Sequence, residues 1–326
     1  MIGVVGGSGF LGSSVLRLLE GKKASFCCLD IVPPVTETPF YMADVTSPLS
    51  AESLEGCQTV INLAAVHRDD VKPLSRYHDV NVEGARNVCE IASKAGVRTI
   101  VFTSSVAIYG FAPANTDEQG EPNFFNEYGK TKYLAEQVYL DWHAQDPSNR
   151  TLVIVRPTVI FGPGNRGNVY NLLRQIASGR FAMFGDGRNV KSMAYVENVA
   201  EFLVHCTGEK PGVHVYNYID KPDLSMNQLV QVARKTLFDK SGVGLRMPGF
   251  LGVTIGLCFD LLAWIIRRPL PISSIRVKKF MATTQFSSAA SETGFEAPYT
   301  LAEGLEKTLR YEFLEDNRDK PTYETE

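Results

Sequence analysis

An α/β fold built on a doubly wound parallel sheet is what this sequence predicts, and three observations predict it. Short apolar runs alternate with helix-period stretches through the first half of the chain. A glycine-spaced turn joins the first run to the first helical stretch, and an aspartate closes the second run. Alternating strand and helix lays parallel strands side by side with helices on both faces.

The apolar runs are Ile2–Val5, Ala24–Leu29, Thr59–Leu63, Thr99–Phe102 and Leu152–Val155. Helix-period stretches such as Leu11–Leu19 and Asn81–Ala95 separate them. The first turn reads GGSGFLG, with Gly6, Gly9 and Gly12 three residues apart. Gly6 allows the tight strand-to-helix turn. Gly9 lets backbone approach a pyrophosphate at the helix N-terminus, where N–H groups and the dipole favour negative charge. Gly12 lets helix and strand pack closely. Asp30 is placed to take the ribose hydroxyls of a dinucleotide, and its charge repels a 2′-phosphate, so NAD is favoured over NADP. The expected organisation is a Rossmann-type NAD-binding lobe over residues 1–164, its last strands and helices interleaving with the next region. A smaller C-terminal α/β substrate lobe follows over 165–314, then a loose charged tail over 315–326.

The chain has 326 residues, which suits one large domain or two lobes. Its net charge of −3 gives no field for nucleic acid. Six cysteines are present, none spaced as CxxC, so they read as small buried thiols rather than metal ligands. Met1 leads straight into the strand pattern IGVV without a basic leader, so the chain is expected to stay in the cytoplasm.

Residues 128–132 read YGKTK. Tyr128 and Lys132 are four apart and share one helix face. A nearby ammonium favours tyrosinate and draws its pKa down. The strand Thr99–Phe102 runs into Thr103-Ser104-Ser105, at the sheet edge where parallel sheets hold ligands. A serine there can hydrogen-bond the same substrate oxygen.

With these residues in this order the chain resembles the extended short-chain dehydrogenases/reductases of the NAD-dependent epimerase/dehydratase type. The carrying segments are VVGGSGFLG (4–12), Asp44-Val45, NLAA (62–65), Asn81 of NVEG, TSSVAIYG (103–110), YGKTK, RPTVIFGPG (156–164) and MAYVENVA (193–200). The resemblance implies Ser105, Tyr128 and Lys132 as the catalytic set. It implies Asp44 and Val45 at the adenine, and Leu63, Ala64 and Ala65 along the pyrophosphate and nicotinamide ribose. Ser8, Phe10, Leu11, Ile31, Asn81, Thr103 and Pro157 complete the implied cofactor site. A homodimer through two helices of the first lobe, one of them bearing Tyr128, is implied too.

Sugar dehydratases of this type carry Asp and Glu where this chain has Val106 and Ala107. What remains is redox chemistry at one carbinol carbon, either 4-epimerisation with retained NAD or 4-keto reduction with external NAD(P)H. Implied substrate contacts are His67, Arg68, Ser104, Asn168 and Lys191. His67 and Arg68 are read equally as structural, and Lys191 has the alternative reading of a solvated surface lysine.

The segment Gly249–Ile266 is apolar except for Asp260 and ends in Arg267-Arg268. As a helix it is about 27 Å long. Leu251, Ile255, Cys258, Leu262 and Ile265 fall on one stripe, and Gly252, Gly256, Asp260 and Ala263 form a weaker opposite face. A membrane span, a buried core helix and an interfacial helix are the three readings. A closer likeness favours the third. AAVHRDDV (64–71), NRGNVYNLL (165–173), YNYIDKPDLSMNQLV (216–230) and IRVKKFMATTQF (275–286) resemble one subgroup of the family. That subgroup epimerises N-acetylglucosamine on undecaprenyl diphosphate, in the assembly of surface polysaccharide such as O-antigen. The resemblance implies a lipid-diphosphate-linked sugar as substrate and peripheral contact with the inner membrane face through 249–266. It implies no metal. Arg276, Lys278 and Lys279 are read as headgroup or diphosphate contacts, or as a solvated basic turn.

Overall fold

The computed structural model describes residues 1–68, 71–268 and 274–323, apart from the side chains of Arg276 and Lys279. Asp69 and Asp70 lie outside the described residues, as do the side chains of those two basic positions. The chain opens β1 (Ile2–Val5), α1 (Phe10–Gly21), β2 (Phe26–Asp30), β3 (Phe40–Met42) and β4 (Thr59–Asn62). It continues α2 (Ser75–His78), a π-helical turn Asp79–Glu83, α3 (Gly84–Lys94), β5 (Thr99–Thr103), α4 (Glu127–Ala144) and β6 (Thr151–Pro157). Then come β7 (Val159–Phe161), α5 (Asn168–Ala177), β8 (Ala182–Phe184), β9 (Val190–Lys191), β10 (Met193–Tyr195), α6 (Val196–His205) and β11 (Gly212–Tyr218). The last elements are β12 (Leu224–Ser225), α7 (Met226–Phe238), β13 (Leu245–Met247), α8 (Gly249–Ile266), α9 (Ser274–Met281) and α10 (Leu301–Phe313).

Seven strands form one sheet in the order β11-β6-β5-β4-β1-β2-β3. Every pairing in it is parallel. The order reverses between β1 and β4, which opens the crevice where such sheets bind ligands. Strand residues alternate between two cores. Val5, Val60 and Ile100 pack with Val88 and Ile91 of α3 and Trp142 of α4. Val4, Ile61 and Val101 pack on the other face with Leu16 of α1 and Phe202 of α6. A strand buried on both faces needs apolar residues at every position, which is why these runs are continuous rather than alternating.

The second lobe is built around Leu173 of α5, Leu229 and Val230 of α7, and Leu305 and Leu309 of α10. Small two-stranded sheets, β7 with β10, β9 with β12 and β8 with β13, support it. The chain crosses back between the lobes. β11 pairs with β6 in the main sheet, and α6 joins α1 in the first lobe's core.

Helix α8 overturns the core-helix reading. Its buried positions are Gly252 and Gly256, while Phe250, Leu257, Leu261 and Trp264 are exposed. The face of small residues points inward because bulk does not fit there. A Cβ on Gly252 would lie 2.6 Å from the Phe184 ring. Asp260 faces inward too, where its carboxylate accepts from the N–H (3.1 Å) and hydroxyl (2.6 Å) of Ser274 at the start of α9. Cys258 is exposed on α8, against the expectation for cysteines, whereas the other five are buried.

The tail also differs from the loose segment expected. Tyr323 pairs with the Gly162–Arg166 turn, its N–H donating to Gly164 O (2.8 Å) and its carbonyl accepting from Arg166 N (2.8 Å). Its phenol meets the Ser13 hydroxyl at 2.7 Å, and its ring lies 5.8 Å from that of Phe10. Pro321–Tyr323 thereby straps the first turn of α1. Nothing in the composition of this charged segment signals it.

Candidate functional site

A cavity of about 1170 Å³ opens at the C-terminal ends of β1, β4, β5 and β6 and runs to the second lobe. Eighteen residues expected at the catalytic and cofactor sites line it; Asn81 does not. The turn after β1 forms its floor. Gly6 has φ +76°, and a Cβ there would sit 2.6 Å from Ala64 N. A Cβ on Gly12 would sit 2.3 Å from Gly6 O. Side chains are excluded at Gly6 and Gly12, so the N-terminal N–H groups of α1 are left facing an open hollow. The Asp30 carboxylate is fixed beside it, accepting from Ser8 N (2.9 Å) and Ile31 N (2.7 Å). An ionised carboxylate retains acceptor capacity beyond those two bonds, enough for ribose hydroxyls.

Asn81 has a different job from the one expected. Its Oδ1 accepts from Val66 N (2.8 Å), and its Nδ2 donates to Val66 O (3.0 Å) and Thr131 Oγ1 (3.0 Å). Both ends of the amide are engaged, so it pins the loop after β4 to α4 rather than lining the cavity.

Helix α4 is capped by Asn126, whose Oδ1 accepts from Gly129 N at 2.9 Å. That start places Tyr128 on the first turn, half-buried at the cavity wall, and Lys132 one turn deeper, 3% exposed. Lys132 Nζ donates to the Thr103 carbonyl at 2.8 Å. Burial pulls its pKa down to about 7, and the Glu136 carboxylate opposes that pull. Ser105 Oγ accepts from Ala107 N at 3.1 Å, which leaves the hydroxyl proton to donate into the cavity. The Thr103 hydroxyl, on the same wall, is buried with no partner among the described residues. Such an orphan calls for an ordered water, an ion or a ligand atom. The glycine floor, the fixed Asp30 and this orphan together fit a dinucleotide.

The expected substrate contacts separate. His67 and Asn168 line the cavity. Protein crowding around the His67 ring holds its imidazole below the ordinary pKa, and the charges of Lys132 and Arg68 add to this. Ser104 also borders the cavity, but its hydroxyl donates inward to Glu136 and is turned from any substrate. Arg68 and Lys191 are not in the wall. The Arg68 carbonyl accepts from the Tyr77 phenol. Lys191 Nζ stands behind the wall, 3.3 Å from the hydroxyl of Thr284, which does line it, and burial lowers its pKa. Sequence reasoning missed Glu136 and Arg156, which form a buried two-point ion pair behind Lys132. The signal was present, because Tyr128, Lys132 and Glu136 continue one stripe at spacings of four. Among the described residues no group of three or more His, Cys, Asp or Glu is placed to hold a metal.

Residues 2–218 match the model of the NAD dependent epimerase/dehydratase family. The chain is 47% identical to the N-acetyl-alpha-D-glucosaminyl-diphospho-ditrans,octacis-undecaprenol 4-epimerase of Escherichia coli O157:H7, over 99% of this chain and 98% of that one. It is 26% identical to a UDP-glucose 4-epimerase of Vibrio cholerae over 97% and 96% of the two chains. Among solved structures, MoeE5 in complex with UDP-glucose and NAD superposes with TM-score 0.73 at 23% identity, covering 95% and 97% of the chains. The UDP-N-acetylglucosamine 4-epimerase of Bacillus cereus gives 0.74 at 16% identity, covering 94% and 97%. A glycine floor under an open helix end, a fixed ribose-side aspartate and a Tyr-Lys stripe at one cavity are thus joined by a match across two-thirds of the sequence: the chain belongs to the NAD dependent epimerase/dehydratase family, and NAD is its cofactor.

Proposed function

We propose that this protein is a 4-epimerase that interconverts N-acetylglucosamine and N-acetylgalactosamine carried on undecaprenyl diphosphate, for assembly of a surface polysaccharide. The observation that carries the reading is the 47% identity along the whole chain, apolar segment included, with the Escherichia coli enzyme of that activity. When bound, NAD supplies reversible two-electron oxidation at C4 of the sugar. Tyr128 takes the proton from the C4 hydroxyl and returns it after the 4-keto sugar has turned over. Lys132, charged beside it, stabilises the phenolate. Ser105 donates its hydroxyl proton to the same oxygen and holds it through both half-reactions. Val106 and Ala107 line the cavity and offer no acid or base, so water is not eliminated from the ring.

Gly6, Ser8, Gly9, Phe10, Leu11 and Gly12 hold the pyrophosphate side of the cofactor, Asp30 and Ile31 its ribose, and Asp44 and Val45 its adenine. Thr103 and Pro157 close the nicotinamide side, and His67 and Asn168 serve the sugar and its diphosphate. Helix α8 is long and apolar enough to cross a membrane, but its buried glycine face and tied Asp260 suit a helix lying in the interface. It brings a soluble cavity to a sugar anchored in lipid at the inner membrane face. A homodimer through α3 and α4 completes the proposal.

The test is a paired assay with no cofactor added. Purified protein receives undecaprenyl-diphospho-N-acetylglucosamine in detergent and, separately, UDP-N-acetylglucosamine. Galacto product from the lipid alone is the expected result. Product from the UDP-sugar alone would make the protein a soluble epimerase, and no product from either would end the epimerase reading.

A further inference from the structure

The α4 stripe that carries Tyr128 and Lys132 ends at Glu136, 1% exposed and outside the cavity wall. Its carboxylate is held at both oxygens. Arg156 of β6 donates through Nε to Oε1 at 2.9 Å and through Nη2 to Oε2 at 2.7 Å. The Ser104 hydroxyl adds a third bond, to Oε1. Arg156 reaches on to the Tyr109 phenol (2.8 Å) and the Glu118 carbonyl (3.2 Å). Tyr109 donates to Asn217 Oδ1 (2.9 Å), whose Nδ2 donates to the Ser287 carbonyl (3.0 Å). The network therefore joins the strand end bearing Ser104 and Ser105, the helix bearing Tyr128 and Lys132, and the segment whose Thr284 and Phe286 wall the cavity.

A buried ion pair that only stabilises a fold is replaceable by hydrocarbon of similar volume with little loss. This one is placed otherwise. One oxygen of Glu136 orients the residue next to Ser105, and the carboxylate lies one helical turn from a buried ammonium. The groups facing Lys132 are Tyr128 and Glu136 from its own helix and His67 from the loop after β4. Arg156 and Tyr109 lie behind Glu136, and the π-helical turn contributes Asp79 and Glu83 to the cavity wall. Among them Glu136 is the anion that acts on Lys132. We propose that Glu136, fixed by Arg156 and Ser104, is a positioning residue for catalysis: it keeps Lys132 charged and aimed so that Tyr128 can ionise, and it sets the strand end that carries Ser105. The inference rests on the reading of Tyr128 and Lys132 given above.

The test is Glu136→Gln, which keeps shape and removes charge. With the lipid-linked sugar, kcat falls tenfold or more while KM stays within about twofold, and the alkaline limb of kcat moves down by about one pH unit as Lys132 loses its proton earlier. A second readout needs no turnover. Tyrosinate absorbance of the NAD-loaded protein, taken as the difference from Tyr128→Phe, follows Tyr128 alone. It shifts to higher pH in Glu136→Gln, because the ammonium that stabilises the phenolate is gone. Glu136→Gln leaves Arg156 unpaired and can unfold the chain, so Glu136→Gln with Arg156→Met, which removes both charges, is measured beside it. The paired variant folds and keeps both shifts. A folded variant with the wild-type profile, or a tyrosinate step that stays put or moves down, overturns the proposal. Conversion that survives Tyr128→Phe would instead overturn the reading of the site.

Discussion

Helices α4 and α8 have the same length, 18 residues, and opposite surfaces. α4 buries nine residues, among them Lys132, Glu136 and His143. α8 buries two glycines and turns leucine, phenylalanine and tryptophan outward. In an ordinary soluble fold the charges would be outside and the leucines inside. Each inversion is costly by itself, so each marks a place where something other than stability shaped the sequence. In α4 Glu136 is paired with Arg156, and Lys132, one turn earlier, reaches the cavity wall. In α8 the apolar stripe is exposed, as at a surface that meets a protein partner or lipid.

The largest break in this comparison comes from α4. Tyr128→Phe should lower the turnover number by about 10²–10⁴-fold, as expected for loss of a positioned general base. Single-turnover product analysis on the lipid-linked sugar measures it, with melting temperature and bound NAD unchanged. On α8, Leu257→Asp with Leu261→Asp should weaken binding to anionic vesicles a hundredfold or more. Each buried leucine is worth about 1.5–3 kcal/mol and each factor of ten about 1.4 kcal/mol. Flotation with vesicles checks it, and melting should not fall, since both side chains are exposed in the folded protein.

Two smaller changes ask how α8 is seated. Gly252→Leu drives a side chain into the Phe184 ring and should destabilise the folded protein by about 1–3 kcal/mol, read by urea unfolding. Asp260→Ala removes the acceptor for both donors of Ser274 and should loosen the α8–α9 junction by about 1 kcal/mol. Hydrogen exchange at the first turn of α9 would show it, with little change elsewhere. Gly252→Leu without loss of stability would mean that α8 does not rest on β8.

The contrast also shows what could be read from sequence. The first strand, its glycine turn and Asp30 were legible because backbone geometry there permits few residues, and the sequence carries them in order. Helix α4 was legible only as Tyr128 and Lys132. Its buried polar face breaks the apolar period by which helices are recognised, so nothing in the sequence singles out Glu136 beyond its spacing of four from Lys132. For α8 the composition gave the two faces but not which one points inward. That is decided by Phe184, 68 residues earlier in sequence, against Gly252. Asn81 was placed near the cofactor by likeness, yet its amide is taken up by Val66 and Thr131, a matter of side-chain direction that no spacing reveals. The seat of Tyr323 on Ser13 joins positions 310 apart and left no local trace.

One detail of α8 makes its surroundings observable. Five thiols lie inside the protein, and Cys258 stands outside on the apolar stripe with Leu251 and Leu262. A thiol-reactive, polarity-sensitive dye added to the folded, unaltered chain would therefore label one place. Its emission colour then becomes a depth gauge, green in water and blue once that stripe has entered hydrocarbon.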